Sequence, residues 1–82
     1  MKPIEEKLTP EKDYRELFTL HVDSNKCTAD IIGIKNDGEY LYISEKLASS
    51  GNAYWMDRVF YSLDEDEYKH YVEMAKQKFS EQ

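Results

Sequence analysis

Apolar and polar positions alternate along residues 17–45, LFTLHVDSNKCTADIIGIKNDGEYLYISE. That is the period of a half-buried strand. Phe18, Leu20 and Val22 alternate with Thr19, His21 and Asp23. A second run covers about 27–34. A third covers about 39–45, with Leu41 and Ile43 toward one face and Tyr40 and Tyr42 toward the other. The quartets Asp23-Ser24-Asn25-Lys26 and Asn36-Asp37-Gly38-Glu39 separate the runs and read as turns. Asp-Gly between alternating segments signals a tight hairpin, since a type I′ turn needs positive φ at both central residues. The pattern therefore predicts a small stiff sheet that holds acidic groups where the backbone reverses. Both faces carry apolar side chains, so at least one is expected to lie under helices.

The flanks fit more than one period. Thr9-Pro10-Glu11 resembles an N-cap followed by proline at the first helical position, and Tyr14, Leu17 and Phe18 follow at helical spacing. The reading is a short N-terminal helix yielding to a strand near residues 15–17, with Pro10 either starting or interrupting it. Ser49-Ser50-Gly51-Asn52 reads as a loop. Over residues 53–62, Tyr54, Met56 and Phe60 suit a fourth strand, whereas Trp55, Val59 and Leu63 recur every four residues and favour a short helix. The last element is clearest. Asp64 and Glu67 form a capping-box-like start, Tyr68, Tyr71, Val72, Ala75 and Phe79 make an apolar stripe, and Lys76 and Lys78 occupy the last turns. The expected fold is one α+β domain over residues 1–82. It is a three-stranded antiparallel sheet with an N-terminal helix and two C-terminal helices packed on it.

With 82 residues, a chain buries only about 60–65% of its unfolded surface, enough for one modest core. Seven tyrosines, three phenylalanines and one tryptophan supply much of it, and tyrosine keeps a polar atom for a half-buried rim or a binding face. Seventeen acidic against eleven basic residues give a net charge of −6. Such a surface repels nucleic acid and anionic lipid and attracts basic partners. Helix starts favour acids, yet Asp64-Glu65-Asp66-Glu67 holds more of them than capping requires.

Little in the chain points to catalysis. His21 and His70 are far apart and neither has a second ligand at metal-binding spacing. Three glycines do not form a phosphate loop, and the acidic quartet lacks the glycine turn of a calcium loop. Cys27, the single cysteine, precludes an internal disulfide and reads as a packed strand residue without an activating histidine. No apolar stretch suggests a signal peptide or a membrane span, so the chain is expected to be cytosolic. The expectation is a non-enzymatic protein without cofactor or metal.

Several motifs stand in register: Lys12-Asp13-Tyr14, Asp23-Ser24-Asn25, Thr28, Ile31-Ile32, Asn36-Asp37-Gly38 and Ile43-Ser44-Glu45. Over residues 12–45 this series closely resembles a small phage anti-CRISPR family that inhibits the type II-A RNA-guided effector nuclease. Residues 61–74, YSLDEDEYKHYVEM, are more loosely similar to that family's acidic stretch followed by aromatic residues. The resemblance implies three antiparallel strands with helices on them, a bacterial host cell, and action as a DNA mimic. The implied partner is the basic DNA-binding cleft of a guide-loaded type II CRISPR nuclease, where the protospacer-adjacent motif is read. The implied partner-binding residues are Asp13, Asn36, Asp37, Gly38, Glu39, Asp64, Glu65 and Asp66, with Asp37 central. Direct nucleic-acid or membrane binding is not expected. The chain departs from the family in three places. Glu39 follows Gly38 without an intervening residue, segment 46–60 differs, and Pro10 falls where the family has a longer helix. Two other readings stand beside this one: an immunity or antitoxin protein capping a basic nuclease toxin, and a small adaptor whose acids only solvate it.

Overall fold

The computed structural model describes residues 1–80, with side chains through Lys78. The chain forms β1 (Lys2–Ile4), β2 (Tyr14–Asp23), β3 (Thr28–Lys35), β4 (Tyr40–Ser50), β5 (Ala53–Leu63) and α1 (Glu65–Ser80). All strand pairs are antiparallel, in the order β1-β5-β4-β3-β2. This corrects the expected three-stranded sheet with one N-terminal and two C-terminal helices. Residues 53–62 are a strand rather than a helix, and the segment around Pro10 is a turn that bridges to Tyr14.

Turn chemistry sets the hairpins. Asp23 Oδ1 accepts from the N–H groups of Asn25 and Lys26 at 3.0 and 3.1 Å, closing the β2–β3 loop. Cys27 ends that loop with φ 56°, exposed and outside the strand it was expected to occupy. At the β3–β4 turn only Gly38 has positive φ, 94°, and its N–H donates to the Lys35 carbonyl at 2.9 Å. The turn is therefore the three-residue hairpin loop with a left-handed glycine, not the expected type I′ turn. β4 and β5 are joined by Gly51-Asn52, with Gly51 at φ 61°, the first position of a II′-like turn.

Strand alternation divides the core between the two faces. Odd positions of β4, Leu41 and Ile43, join Tyr14, Ile31 and Phe60 on one face. β1 and β2 lie at opposite edges of the sheet, so residues 5–13 must cross it, and Ile4 and Leu8 pack onto that cluster. On the same face Arg58 Nε donates to Glu45 Oε1 at 2.6 Å, pairing the buried Glu45 carboxylate. Even positions of β4 face α1. Tyr40 stacks on Tyr68 with ring centroids 3.7 Å apart, and Tyr42 lies 5.2 Å from Tyr71 and 6.1 Å from Tyr61. Burial there, with the Asp30 carboxylate beside it, pushes the Tyr42 phenol up to about 12. Tyr68, Tyr71, Val72 and Ala75 of the expected helical stripe are all half-buried, whereas the Phe79 side chain lies outside the described residues. Gly33 is needed where β2 approaches β3, since a Cβ there would sit 2.8 Å from the Arg15 carbonyl oxygen.

Tyr14 is fully buried, and its hydroxyl has no hydrogen-bond partner among the described residues. Burial raises its pKa, opposed by the nearby Arg58 charge. Burying a hydroxyl unpaired is costly. Tyr14→Phe is therefore expected to raise the unfolding free energy read from urea titration by about 1 kcal/mol. Ile43→Ala in the same cluster should lower stability by about 2–5 kcal/mol. Loss of stability in Tyr14→Phe would show that the hydroxyl is paired after all.

Candidate functional site

The pairing of β4 with β5 determines where the acids collect. Tyr40 opposes Leu63, so Glu39, just before β4, and Asp64, just after β5, lie at the same end of the sheet. Ser62 Oγ donates to Glu39 Oε1 and ties the two chain segments together. The β3–β4 loop carries Asp37 to the same end, and the chain entering β2 brings Asp13 there. Asn36 N–H donates to the Asp13 carbonyl at 3.1 Å, and Asn36 Nδ2 to the Lys12 carbonyl at 2.6 Å. All eight residues expected from the sequence thus belong to one end of the molecule.

They do not have equal freedom. The Asp13 carboxylate accepts from Thr9 N–H at 2.7 Å, and Asp13 N–H donates to the Thr9 carbonyl at 2.9 Å. It holds the loop before β2. Asn36 locks that loop to the hairpin, and Gly38 supplies the conformation of the turn. Asp64 Oδ1 accepts from Glu67 N–H at 2.8 Å, while Glu67 Oε1 accepts from Asp64 N–H at 3.1 Å. This reciprocal capping box satisfies helix donors that would otherwise lack partners. Glu39 is shared between Ser62 and Lys35, whose Nζ lies 3.3 Å from Glu39 Oε2 and 3.6 Å from Asp37 Oδ2.

Three carboxylates remain directed outward. The Asp37 side chain is 63% exposed. Glu65 is exposed and loosely paired with Lys69 at 3.7 Å, and Asp66 is exposed with no partner among the described residues. The Glu39 backbone N–H donates to Asp37 Oδ1 at 3.0 Å, and with the Lys35 charge this holds the Asp37 carboxyl below its ordinary value. Its hydrogen bond to Glu39 raises Lys35. Glu67 is lowered by the Met1 amino group and the capping bond.

Glu67 was expected from the sequence only as the capping partner of Asp64, and Lys35 not at all, although both are structural parts of this end. Lys35 directly follows the alternating run of about 27–34 and stands four residues before Glu39, which was a usable signal. Among the described residues no group of three His, Cys, Asp or Glu side chains could hold a metal ion, and no helix is long and apolar enough to cross a membrane. The chain matches no family model, and comparison with curated proteins and with solved structures likewise gives no match.

Asp37 and Glu67 have ordinary values of 3.8 and 4.5, and both are lowered on folding. A carboxyl lowered by folding stabilises the protein above its unfolded pKa, and that stabilisation is lost as pH falls through the folded pKa. The melting temperature should therefore fall as pH drops below about 4.5. In the double variant Asp37→Asn/Glu67→Gln that decline should be shallower. Parallel acid limbs in wild type and variant, followed by circular dichroism, would contradict the assignment.

Proposed function

We propose that this protein is a non-catalytic inhibitor whose acidic end mimics DNA. It occupies the protospacer-adjacent-motif cleft of a guide-loaded type II CRISPR nuclease and blocks target binding. The observation that carries this reading is the gathering of Asp37, Glu65 and Asp66 at one end of a rigid sheet, where they stay exposed although Asp37 lies near Lys35 and Glu65 is loosely paired with Lys69. Carboxylates replace phosphate and base acceptors there, because arginine forks accept either as charge-assisted, often bidentate, partners. A cleft that reads guanine edges with arginine loses its DNA when those arginines are engaged, and the seed heteroduplex then does not nucleate. Asp37 is pre-positioned for this by its own turn, so little side-chain freedom is lost on binding.

The motif series supports the choice of nuclease, while the acidic end supports the mode of action. The five-stranded sheet departs from the three strands the resemblance implies. That departure favours keeping a second reading, an immunity or antitoxin protein capping a basic nuclease toxin through the same carboxylates.

The test is competition between this protein and a labelled target duplex for guide-loaded type II-A nuclease, at low and high salt. Duplex release near one equivalent, weaker at high salt, is the expected outcome. Asp37→Asn keeps an oxygen for the Glu39 N–H but removes the charge, and should cost about 2–5 kcal/mol of binding if an arginine buries it. Asp66→Ala should mainly lower the association rate and the salt dependence. Duplex binding untouched by excess protein would refute the CRISPR target, and inhibition of a basic toxin nuclease by the same acids would establish the second reading.

A further inference from the structure

β1 covers the outer edge of β5 only over Phe60, Tyr61 and Ser62. From Ala53 to Val59 that edge meets no strand, and among the described residues no backbone hydrogen bond reaches it from another segment. The inner edge pairs with β4 without a register break from Ala53 to Leu63, so the strand is regular. Its free part is rich in apolar groups that face solvent: Tyr54 is 71% exposed, Val59 49%, Trp55 44% and Met56 42%. The sheet's other edge is of a different kind. β2 is broken by register shifts between Glu16 and Phe18 and between Thr19 and His21, and it exposes Arg15, Glu16 and His21 beside Leu17 and Val22. Bulges and charges discourage pairing at an edge, and a regular apolar edge invites it.

We propose that β5 pairs with β5 of a second copy of this chain, antiparallel and centred on Met56, to join the two five-stranded sheets into one. Three properties of the edge fit a second copy rather than an unrelated strand. The free segment is symmetric about Met56, so a two-fold axis there pairs it over its whole length. That register sets Trp55 opposite Asp57 of the partner copy, Tyr54 opposite its Arg58 and Ala53 opposite its Val59. Trp55 Nε1 donates its single N–H to Asp57 Oδ1 at 2.8 Å within one chain, which neutralises the polar end of the indole and leaves its apolar body to lie beside the partner copy's Asp57 stem. A tyrosine ring opposite a guanidinium suits a cation–π contact.

Charge points the same way. The chain carries −6 overall, but the free segment holds one acid and one base, Asp57 and Arg58. Its acidic end begins beyond Leu63, seven residues and roughly 23 Å along the strand from Met56. An antiparallel pair sends the two acidic ends in opposite directions, many screening lengths apart at physiological salt. The dimer would thus display two outward acidic ends.

Sedimentation velocity of the full chain from about 1 μM to 1 mM, a span that brackets weak and moderate self-association, reads the outcome. Doubling of the mass with rising concentration, undiminished at high salt, is expected. Met56→Lys should weaken association by at least about tenfold. Should Met56→Lys fail to fold, a cross-link decides: Met56→Cys on a Cys27→Ser background should oxidise to a covalent dimer, because residues facing across a two-fold axis meet disulfide geometry. Val22→Cys on the same background, at the opposite edge, should not. A monomer at every concentration overturns the proposal, as does a dimer in which the Met56→Cys variant forms no cross-link on oxidation. Binding to the nuclease that depends on Met56 while the chain stays monomeric also overturns it, in favour of a partner's strand.

Discussion

The unbroken ladder between β4 and β5 is the constraint on which the rest of the molecule depends. It runs from Tyr40 opposite Leu63 to Ser50 opposite Ala53 with no register shift. Because side chains alternate strictly along both strands, one register assigns Leu41, Ile43 and Phe60 to the face crossed by residues 5–13. The same register assigns Tyr40, Tyr42 and Tyr61 to the face under α1. A slip of β5 by one residue would turn Phe60 toward α1 and place Arg58 among the tyrosines, away from Glu45. The ladder also delivers Asp64 beside Glu39, so the helix starts where the hairpin acids already lie.

That placement explains how a small chain gathers like charges without unfolding. Repulsion among Asp37, Glu39, Asp64, Glu65 and Asp66 is offset locally by Lys35, by the capping hydrogen bonds and by the positive end of the α1 dipole. Asp13, Glu39 and Asp64 are largely committed to structure, and Asp37, Glu65 and Asp66 stay exposed. The division follows from exposure together with hydrogen bonding: Asp37 accepts the Glu39 N–H and lies near Lys35 yet its side chain stays 63% exposed, while Glu65 and Asp66 accept no backbone donor among the described residues.

Much of the acidic end was legible in the sequence. Turn chemistry located both hairpin loops, and Asp64 with Glu67 announced the helix start that the structure has. What misled was spacing that suits two periods at once. Trp55, Val59 and Leu63 recur every four residues, which satisfies a helix but equally a strand, since four is twice two. The positions that discriminate are three apart, and there the chain has Arg58 and Ser62, polar groups that argue against a helical stripe. Thr9-Pro10-Glu11 likewise looked like a helix start. Instead Pro10 bridges to Tyr14 and Glu11 takes φ 68°, because the chain must turn there to cross from one sheet edge to the other. The type I′ assignment failed for a related reason: one left-handed residue, Gly38, suffices when the loop has three residues.

The account's central claim is that the acidic end is the binding surface. Amide hydrogen exchange of this chain, free and with guide-loaded type II-A nuclease, tests it most directly. The first-turn amides of α1 lack intrahelical acceptors, and loop-tip amides are open to solvent, so both are free to report a partner that covers them. The account predicts slowed exchange at Asp37, Glu65 and Asp66, with α1 beyond its first turn unchanged. Slowing confined to other parts of the chain, or no change at saturating nuclease, would contradict it.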